Sequence, residues 1–161
     1  VELKLDGTWP NNFCLGEAQC AVGRLALARL DATNDRLIEQ AHKVRSALAE
    51  VPEVSVAKVP HGYRHVFHQC VMHFDGSALG KNRDDLLDIL TNEYKIKAIV
   101  QYYPLYRYPL FKSHGFDDHD CPVLESWWDN SFSLPWWCGI SDETLDYMVT
   151  SLKNAIAKLK D

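Results

Sequence analysis

Several features that mark specialised protein classes are missing from this sequence of 161 residues. No apolar run reaches the roughly 18–20 residues of a membrane-spanning helix, and the first residues do not resemble a signal peptide. The net charge of -5 argues against a nucleic-acid-binding surface, which would carry a basic stripe. Nucleophile-elbow, glycine-rich phosphate-loop and paired-carboxylate signatures are also absent. Composition alone therefore indicates only a globular domain with a hydrophobic core.

Cysteine is present, but its spacing follows no known motif. The five cysteines are widely spaced, and no CxxC pair occurs. An odd number of such residues argues against a disulfide framework or a structural zinc site. We therefore expect a reducing, cytoplasmic location and folding without a metal, so that chelator treatment leaves the melting temperature unchanged.

Two histidine-rich regions are candidate metal sites. His65 and His73 would share one face of a strand while His68 points the other way, which argues against a three-histidine site. Residues 114–121 combine His, Asp and Cys, but we interpret this segment as a solvated loop.

Hydrophobic periodicity predicts helices and a few strands. A long helix is expected over residues 15–50, with a kink near residues 31–34 and an end at Pro52. Further helices are predicted over residues 83–93, after Pro122 and after Ser141. Strands are predicted at residues 54–59, 65–74, 96–100 and 131–134. This order indicates a two-layer α/β (α+β) fold, with a small, mainly antiparallel sheet packed by helices.

A loop rich in tyrosine follows the third predicted strand and contains Tyr102, Tyr106 and Arg107. Its aromatic rings can serve either core packing or the wall of a site for a flat or sugar-like ligand, and the residues alone leave both interpretations open. Arg107 could hold a phosphate or carboxylate with two parallel hydrogen bonds. The tryptophan pairs at residues 127–128 and 136–137 are interpreted as packing.

Six blocks of residues follow one another in a recognisable order and spacing, at 12–23, 27–31, 65–68, 101–106, 121–122 and 133–135. Read as these ordered blocks, the chain resembles the DegT-type aminotransferases. Three positions depart from the family pattern, because Cys14, Gln101 and Tyr106 stand where it usually has Arg, His and His. The changes remove a cation and two imidazoles, and Arg107 replaces part of that charge.

The resemblance implies a fold-type I enzyme that uses pyridoxal 5'-phosphate and works as a homodimer. Residues 1–161 would be its C-terminal small domain, with an irregular interface segment at 1–14, the long helix at 15–50 and an α/β core at 54–161. Asn12 would reach the cofactor phosphate of the neighbouring subunit. Gln101, Tyr102, Tyr106 and Arg107 would lie near the substrate. The catalytic lysine would precede this chain, so no catalytic residue is expected within it.

The implied reaction moves an amino group from an amino acid to a keto sugar or keto cyclitol. Two alternatives stay open: a sugar dehydratase of the same family that uses the same cofactor, and a free-standing, non-enzymatic binding domain of the same fold. The resemblance places apolar residues 9–30 at an interface, so self-association is also expected.

Overall fold

The computed structural model of the chain describes residues 14–100, 102–116 and 121–160. Within these ranges it has six α-helices and three strands. The helices are α1 (Glu17–Ala28), α2 (Leu30–Ala47), α3 (Arg83–Asn92), α4 (Pro109–Ser113), α5 (Pro122–Asn130) and α6 (Asp142–Lys160). The strands are β1 (Val54–Val56), β2 (Val71–Phe74) and β3 (Ser131–Ser133). Contacts divide the chain into two compact units, residues 1–33 and 34–161. Among the described helices, none has the length and apolar character needed to cross a membrane.

The predicted long helix over residues 15–50 is divided at Arg29, before the predicted kink at residues 31–34. A regular helix would bond the Arg29 amide to the carbonyl of Leu25. Here the Arg29 amide donates to Ala26 O at 3.1 Å, and the Leu25 carbonyl accepts from the Arg29 side-chain Nε at 3.3 Å instead. A side chain that enters the helical hydrogen-bond ladder interrupts it without proline or glycine.

The sheet is antiparallel throughout, with strand order β1-β2-β3. Val54 and Val56 on β1 lie opposite Phe74 and Met72 on β2, and Met72 also lies opposite Phe132 on β3. This register places Met72, Phe74 and Phe132 in the core, each at most 1% exposed. Both predicted strands, at residues 54–59 and 131–134, are present, but β1 ends already at Val56 and β3 at Ser133.

The predicted strand over residues 65–74 is wrong in its first half, because β2 begins only at Val71. Phe67 has a φ of 47°, in the left-handed region that bulky residues rarely adopt. Side chains bind its backbone in place of a neighbouring strand: its amide donates to His65 Nδ1 at 2.9 Å, and its carbonyl accepts from Trp136 Nε1 at 2.7 Å. The argument that a strand separates His65 from His68 by face therefore does not hold.

The predicted strand at residues 96–100 is reduced to one bridge. Ile99 and Ser133 exchange two backbone hydrogen bonds of 2.8 Å, which attach this segment to the free edge of β3. Lys95 precedes the segment with a φ of 56°, so the chain turns as it leaves α3 and only a short stretch reaches the sheet.

The core of the second unit lies between the sheet and the helices. The apolar stripe on α6 is buried as its periodicity predicts, with Leu145, Leu152 and Ile156 at most 1% exposed. Leu86 and Leu90 of α3 are fully buried with them. The predicted α/β fold with a small antiparallel sheet is confirmed.

An ionic network joins α2 to the first turn of α6. The Asp142 carboxylate accepts from Arg36 Nη2 at 2.8 Å and from Lys43 Nζ at 2.9 Å. Glu39 pairs with the same two cations at 3.2 and 3.0 Å. The hydrogen bonds from Arg36 and then Lys43 hold the pKa of the Asp142 carboxyl below its ordinary value.

Asp142→Asn is expected to lower the melting temperature at pH 7 by a few degrees and to have little effect near pH 3. A carboxyl whose pKa is lowered by folding stabilises the protein above its unfolded pKa, and this contribution is lost as the pH falls through the folded pKa. Thermal melts of both proteins at the two pH values test this. Asp146→Asn, an exposed change on the same helix, is the control, and an Asp142→Asn deficit of equal size at both pH values would contradict the prediction.

Candidate functional site

The candidate site is built around the tyrosine loop, defined as residues 102–108. The bridge of Ile99 to β3 fixes where this loop leaves the sheet edge. Pro104 is buried and starts a 3-10 turn over Leu105–Arg107, in which Arg107 N donates to Pro104 O at 3.0 Å. Pro109 then begins α4, at the position where a helix tolerates proline best.

One carboxylate organises the two polar residues of the turn. Glu125 lies in the first turn of α5, and its Oε1 accepts from the Tyr106 hydroxyl and, at 3.2 Å, from Arg107 Nε. Its Oε2 forms an ion pair with Arg107 Nη2. The guanidinium therefore makes the two-point contact that was predicted for a ligand, but makes it with a carboxylate of its own chain.

Aromatic rings pack beneath this cluster. Tyr103 contacts Tyr108 edge-on at 4.9 Å and Trp128 at 5.5 Å between ring centroids. The Arg107 Cζ lies 5.9 Å from the centroid of the Tyr103 ring. Arg83, only 8% exposed, covers Trp128 at 5.5 Å and donates to the carbonyl of Ser131 at 3.3 Å. These contacts connect the loop to α3, to α5 and to the start of β3.

Tyr102 differs from the other tyrosines of the loop because it is 71% exposed. Its hydroxyl accepts from Gln69 Nε2 at 3.3 Å. A phenol held at its tip, with its ring open to solvent, can contact a ligand through both its face and its hydroxyl.

The structure brings together Tyr106 and Arg107 and places Tyr102 in the same loop. Gln101 and Asn12, the other predicted site residues, lie outside the described residues. Glu125 was not predicted as part of this site. It is 18 residues from Arg107, and an acidic residue in the first turn of a helix is ordinary, so the sequence offers no signal of the contact.

The described residues do not fit a Schiff-base site for a cofactor aldehyde. A lysine in that role is activated by desolvation or by a neighbouring cation in a pocket. Every lysine in the described ranges is exposed. Within the same ranges, no group of three or more His, Cys, Asp and Glu side chains could hold a metal ion, and residues 117–120 of the His- and Cys-containing segment lie outside them.

The buried cysteine of the core, Cys70, is not a nucleophile. Cys20, Cys70, Cys121 and Cys138 carry free thiols. Burial raises the pKa of the Cys70 thiol to about 12, against a smaller opposing effect of the Arg45 charge. Because the thiolate is the reactive species, Cys70 is inert in the folded chain.

We expect a thiol reagent to label the exposed Cys20 and Cys138 of the native chain and to leave Cys70 unlabelled until the chain unfolds. Mass mapping of the labelled cysteines, with and without denaturant, measures this difference. Native labelling of Cys70 at the rate of Cys138 would contradict both its burial and its raised pKa.

Comparison with known proteins assigns the fold to a family. A sequence model described as the DegT/DnrJ/EryC1/StrS aminotransferase family matches residues 6–153. The chain belongs to this family. Its members are fold-type I enzymes that use pyridoxal phosphate, so the family recognised from the ordered sequence blocks is confirmed.

This aminotransferase-family chain is similar to several proteins of known name, of which two are described. The spore coat polysaccharide biosynthesis protein SpsC of Bacillus subtilis is 27% identical over 156 residues, which cover 96% of this chain and 39% of SpsC. The erythromycin biosynthesis sensory transduction protein EryC1 of Saccharopolyspora erythraea is 28% identical, over 88% of this chain and 37% of EryC1. The chain thus spans about two fifths of these relatives.

Solved structures share the fold of this aminotransferase-family chain. Helicobacter pylori PseC, an aminotransferase involved in the biosynthesis of pseudoaminic acid, matches with a TM-score of 0.82 and 19% identity, over 94% of this chain and 40% of PseC. DesV of S. venezuelae, solved with a ketimine intermediate, matches with a TM-score of 0.79 and 23% identity, over 95% of this chain and 40% of DesV.

Proposed function

We propose that this chain is the C-terminal small domain of a pyridoxal-phosphate aminotransferase that moves an amino group from an amino acid, such as glutamate, to a keto sugar or keto cyclitol. The observation that carries the proposal is the family match over residues 6–153. The share of SpsC that the chain covers, 39%, supports the view that it is one part of a larger enzyme and not catalytically complete.

The chemistry of related proteins supports a sugar as the substrate. PseC takes part in pseudoaminic acid biosynthesis, and DesI was solved in the presence of its TDP-sugar product. The Streptococcus pneumoniae protein Spr1654 was solved in PLP and PMP forms, which supports this cofactor here. Pyridoxal phosphate, when bound, supplies the electron sink of the reaction. From the family resemblance we propose that the Schiff-base lysine lies outside this chain. The lysines of the described ranges, which do not include Lys4, are all exposed.

The tyrosine loop is proposed to contact the sugar. Tyr102 offers an accessible ring and a hydroxyl, whereas Tyr106 and Arg107 are held by Glu125 and shape the wall behind it. Gln101 would join them, and Asn12 would bind the cofactor phosphate of the second subunit of a homodimer. A cytoplasmic location is proposed with this role, because thiols such as Cys70 and Cys138 are free.

The test compares the chain with the gene product that includes the coding sequence before it. The chain alone, incubated with pyridoxal phosphate and dialysed, should retain no cofactor on any lysine. The longer product should retain it and aminate a keto sugar with glutamate as the donor. A cofactor adduct on one lysine of the chain alone would overturn the proposed division of roles. Release of water from the sugar without use of glutamate would identify the protein as the dehydratase. Absence of the cofactor from both proteins would identify it as a non-enzymatic binding domain.

In the longer product, Tyr102→Phe is expected to raise the KM for the keto sugar several-fold and to leave kcat nearly unchanged. The change removes one hydroxyl that binds the substrate equally in the ground and transition states. Tyr147→Phe is the matched control. Tyr147 lies on α6, away from the loop, and its hydroxyl donates to Tyr94 O at 2.8 Å. Equal kinetics for Tyr102→Phe and the native enzyme would remove Tyr102 from the site.

A further inference from the structure

A concavity lies in the unit of residues 34–161, between α2 and the loop of residues 59–67. We call it the histidine–arginine groove. It has a volume of about 350 Å³ and is lined by His42, Arg45, His61, Tyr63, Arg64 and His65, among others. Two guanidinium groups and three imidazoles thus line one small concavity, in a chain whose net charge is -5.

Arg45 is the central cation of the groove, and its bonding is incomplete. Its Nη2 donates to Ala57 O, and its Cζ lies 5.8 Å from the centroid of the Phe67 ring. Its Nε is buried and has no hydrogen-bond partner. No carboxylate within the described residues forms an ion pair with it. A buried donor without a partner costs about 1–3 kcal/mol, so the Arg45 side chain has hydrogen-bonding capacity that its own chain leaves unused.

Of the other groups that line the groove, His65 can donate a hydrogen bond, and the charge of Arg64 is paired with a carboxylate. The Phe67 amide donates to His65 Nδ1 at 2.9 Å, so in the neutral imidazole the proton lies on Nε2, which can donate to a ligand. Arg64 forms an ion pair with Asp35 at 2.7 Å, which leaves Arg45 as the uncompensated charge. His42 and His61 are exposed at the rim.

The unusual backbone at Phe67 holds the groove in this shape. Its φ of 47° and the hydrogen bond from Trp136 Nε1 fix the segment that carries His65. Strained backbone kept in place by side-chain bonds is concentrated at functional sites. Tyr63, 76% exposed, adds an aromatic surface to the lining.

We propose that the histidine–arginine groove binds the phosphate group of a small ligand, either free phosphate or a sugar phosphate. A phosphate offers several acceptor oxygens around one centre, which suits donors that surround it, and guanidinium groups match its geometry. Arg45 would hold the phosphate, the imidazoles of His61 and His65 would complete the contact, and Tyr63 would face the organic part. This inference does not rest on the proposed transamination and concerns residues of this chain alone.

Calorimetric titration of the chain at constant ionic strength tests the groove, with inorganic phosphate, a hexose phosphate and acetate as probes. Both phosphate compounds are expected to bind and acetate to bind much more weakly. Tighter binding of the hexose phosphate would assign the natural ligand to the ester, and weaker binding of the hexose phosphate would assign it to the free ion. Equal binding would show that the groove recognises the phosphate group alone. Failure of both phosphates to bind at millimolar concentration, or equal binding of acetate, would overturn the proposal.

Variants locate the binding. Arg45→Gln should weaken phosphate binding about tenfold or more, because it removes a charge-assisted contact. Arg45→Lys should recover part of that loss. Since Arg45 also contacts Ala57 and Phe67, His61→Gln provides an exposed change that leaves the fold intact and should weaken binding several-fold. Lys81→Gln, an exposed charge removal outside the groove, should have no effect. Unchanged binding in both Arg45→Gln and His61→Gln would place the ligand elsewhere and overturn the assignment.

Discussion

The Leu25→Glu variant is expected to sediment as a monomer at micromolar concentrations at which the native chain is a dimer or a larger species. α1 has no buried residue. Val22 and Leu25 are 67% and 65% exposed, and Leu27 on another side of the helix is 70% exposed. Such a helix leaves apolar surface that association would cover, at about 25 cal/mol for each Å² removed from water.

Position on the helix distinguishes this effect from a general effect of charge. Ala18, Val22 and Leu25 follow one another at the spacing of a single helical face. Ala26→Glu adds the same charge about 100° further round the helix, and it should leave the native association largely in place. Sedimentation velocity of the three proteins measures the result. A native chain that is already monomeric, and that Leu25→Glu does not change, would refute the prediction.

Phe132→Ala is expected to destabilise the chain by about 3–5 kcal/mol, the usual cost of emptying a buried aromatic site. Phe132 is 1% exposed, lies opposite Met72 in the sheet and belongs to the core cluster of the second unit. Smaller neighbours cannot fill the space of a phenyl ring without moving the strands. Since domains are stabilised by only about 5–15 kcal/mol, the loss is a large part of the total.

Urea unfolding followed by circular dichroism measures the effect of Phe132→Ala as a fall in the midpoint. Val123→Ala is the control, because Val123 is 83% exposed and its truncation should change stability by about 0.5 kcal/mol or less. Similar midpoints for both variants would show that the core does not depend on Phe132 as its burial indicates.

The elements with strong local signals were predictable from sequence. The stripe on α6 and the cap at Ser141 define that helix without reference to the rest of the chain. The segment of residues 65–68 was mispredicted because its alternation suits a strand, while a distant indole and a positive φ at Phe67 determine its path. The break between α1 and α2 could not be located from the sequence, because the hydrogen bond from the Arg29 side chain to the backbone does not change the hydrophobic periodicity.

The candidate site also contains residues that could be predicted from the sequence and residues that could not. Tyr102, Tyr106 and Arg107 could be selected because aromatic and basic residues cluster in one loop after a predicted strand. Their partner Glu125 could not, because the contact depends on how α5 packs against that loop. Arg45 and His61 of the groove come from separate elements, so only the fold brings them together.

The contact of Glu125 with Tyr106 and Arg107 has a consequence for the thermodynamics of binding at the tyrosine loop. Ordering a long side chain at an interface costs about 0.5–1.5 kcal/mol of conformational entropy. Glu125 already restricts the rotamers of both residues before any ligand arrives. A ligand that contacts Tyr106 and Arg107 therefore loses less binding free energy to the ordering of their side chains. The fold itself sets the shape of this part of the site before the ligand binds.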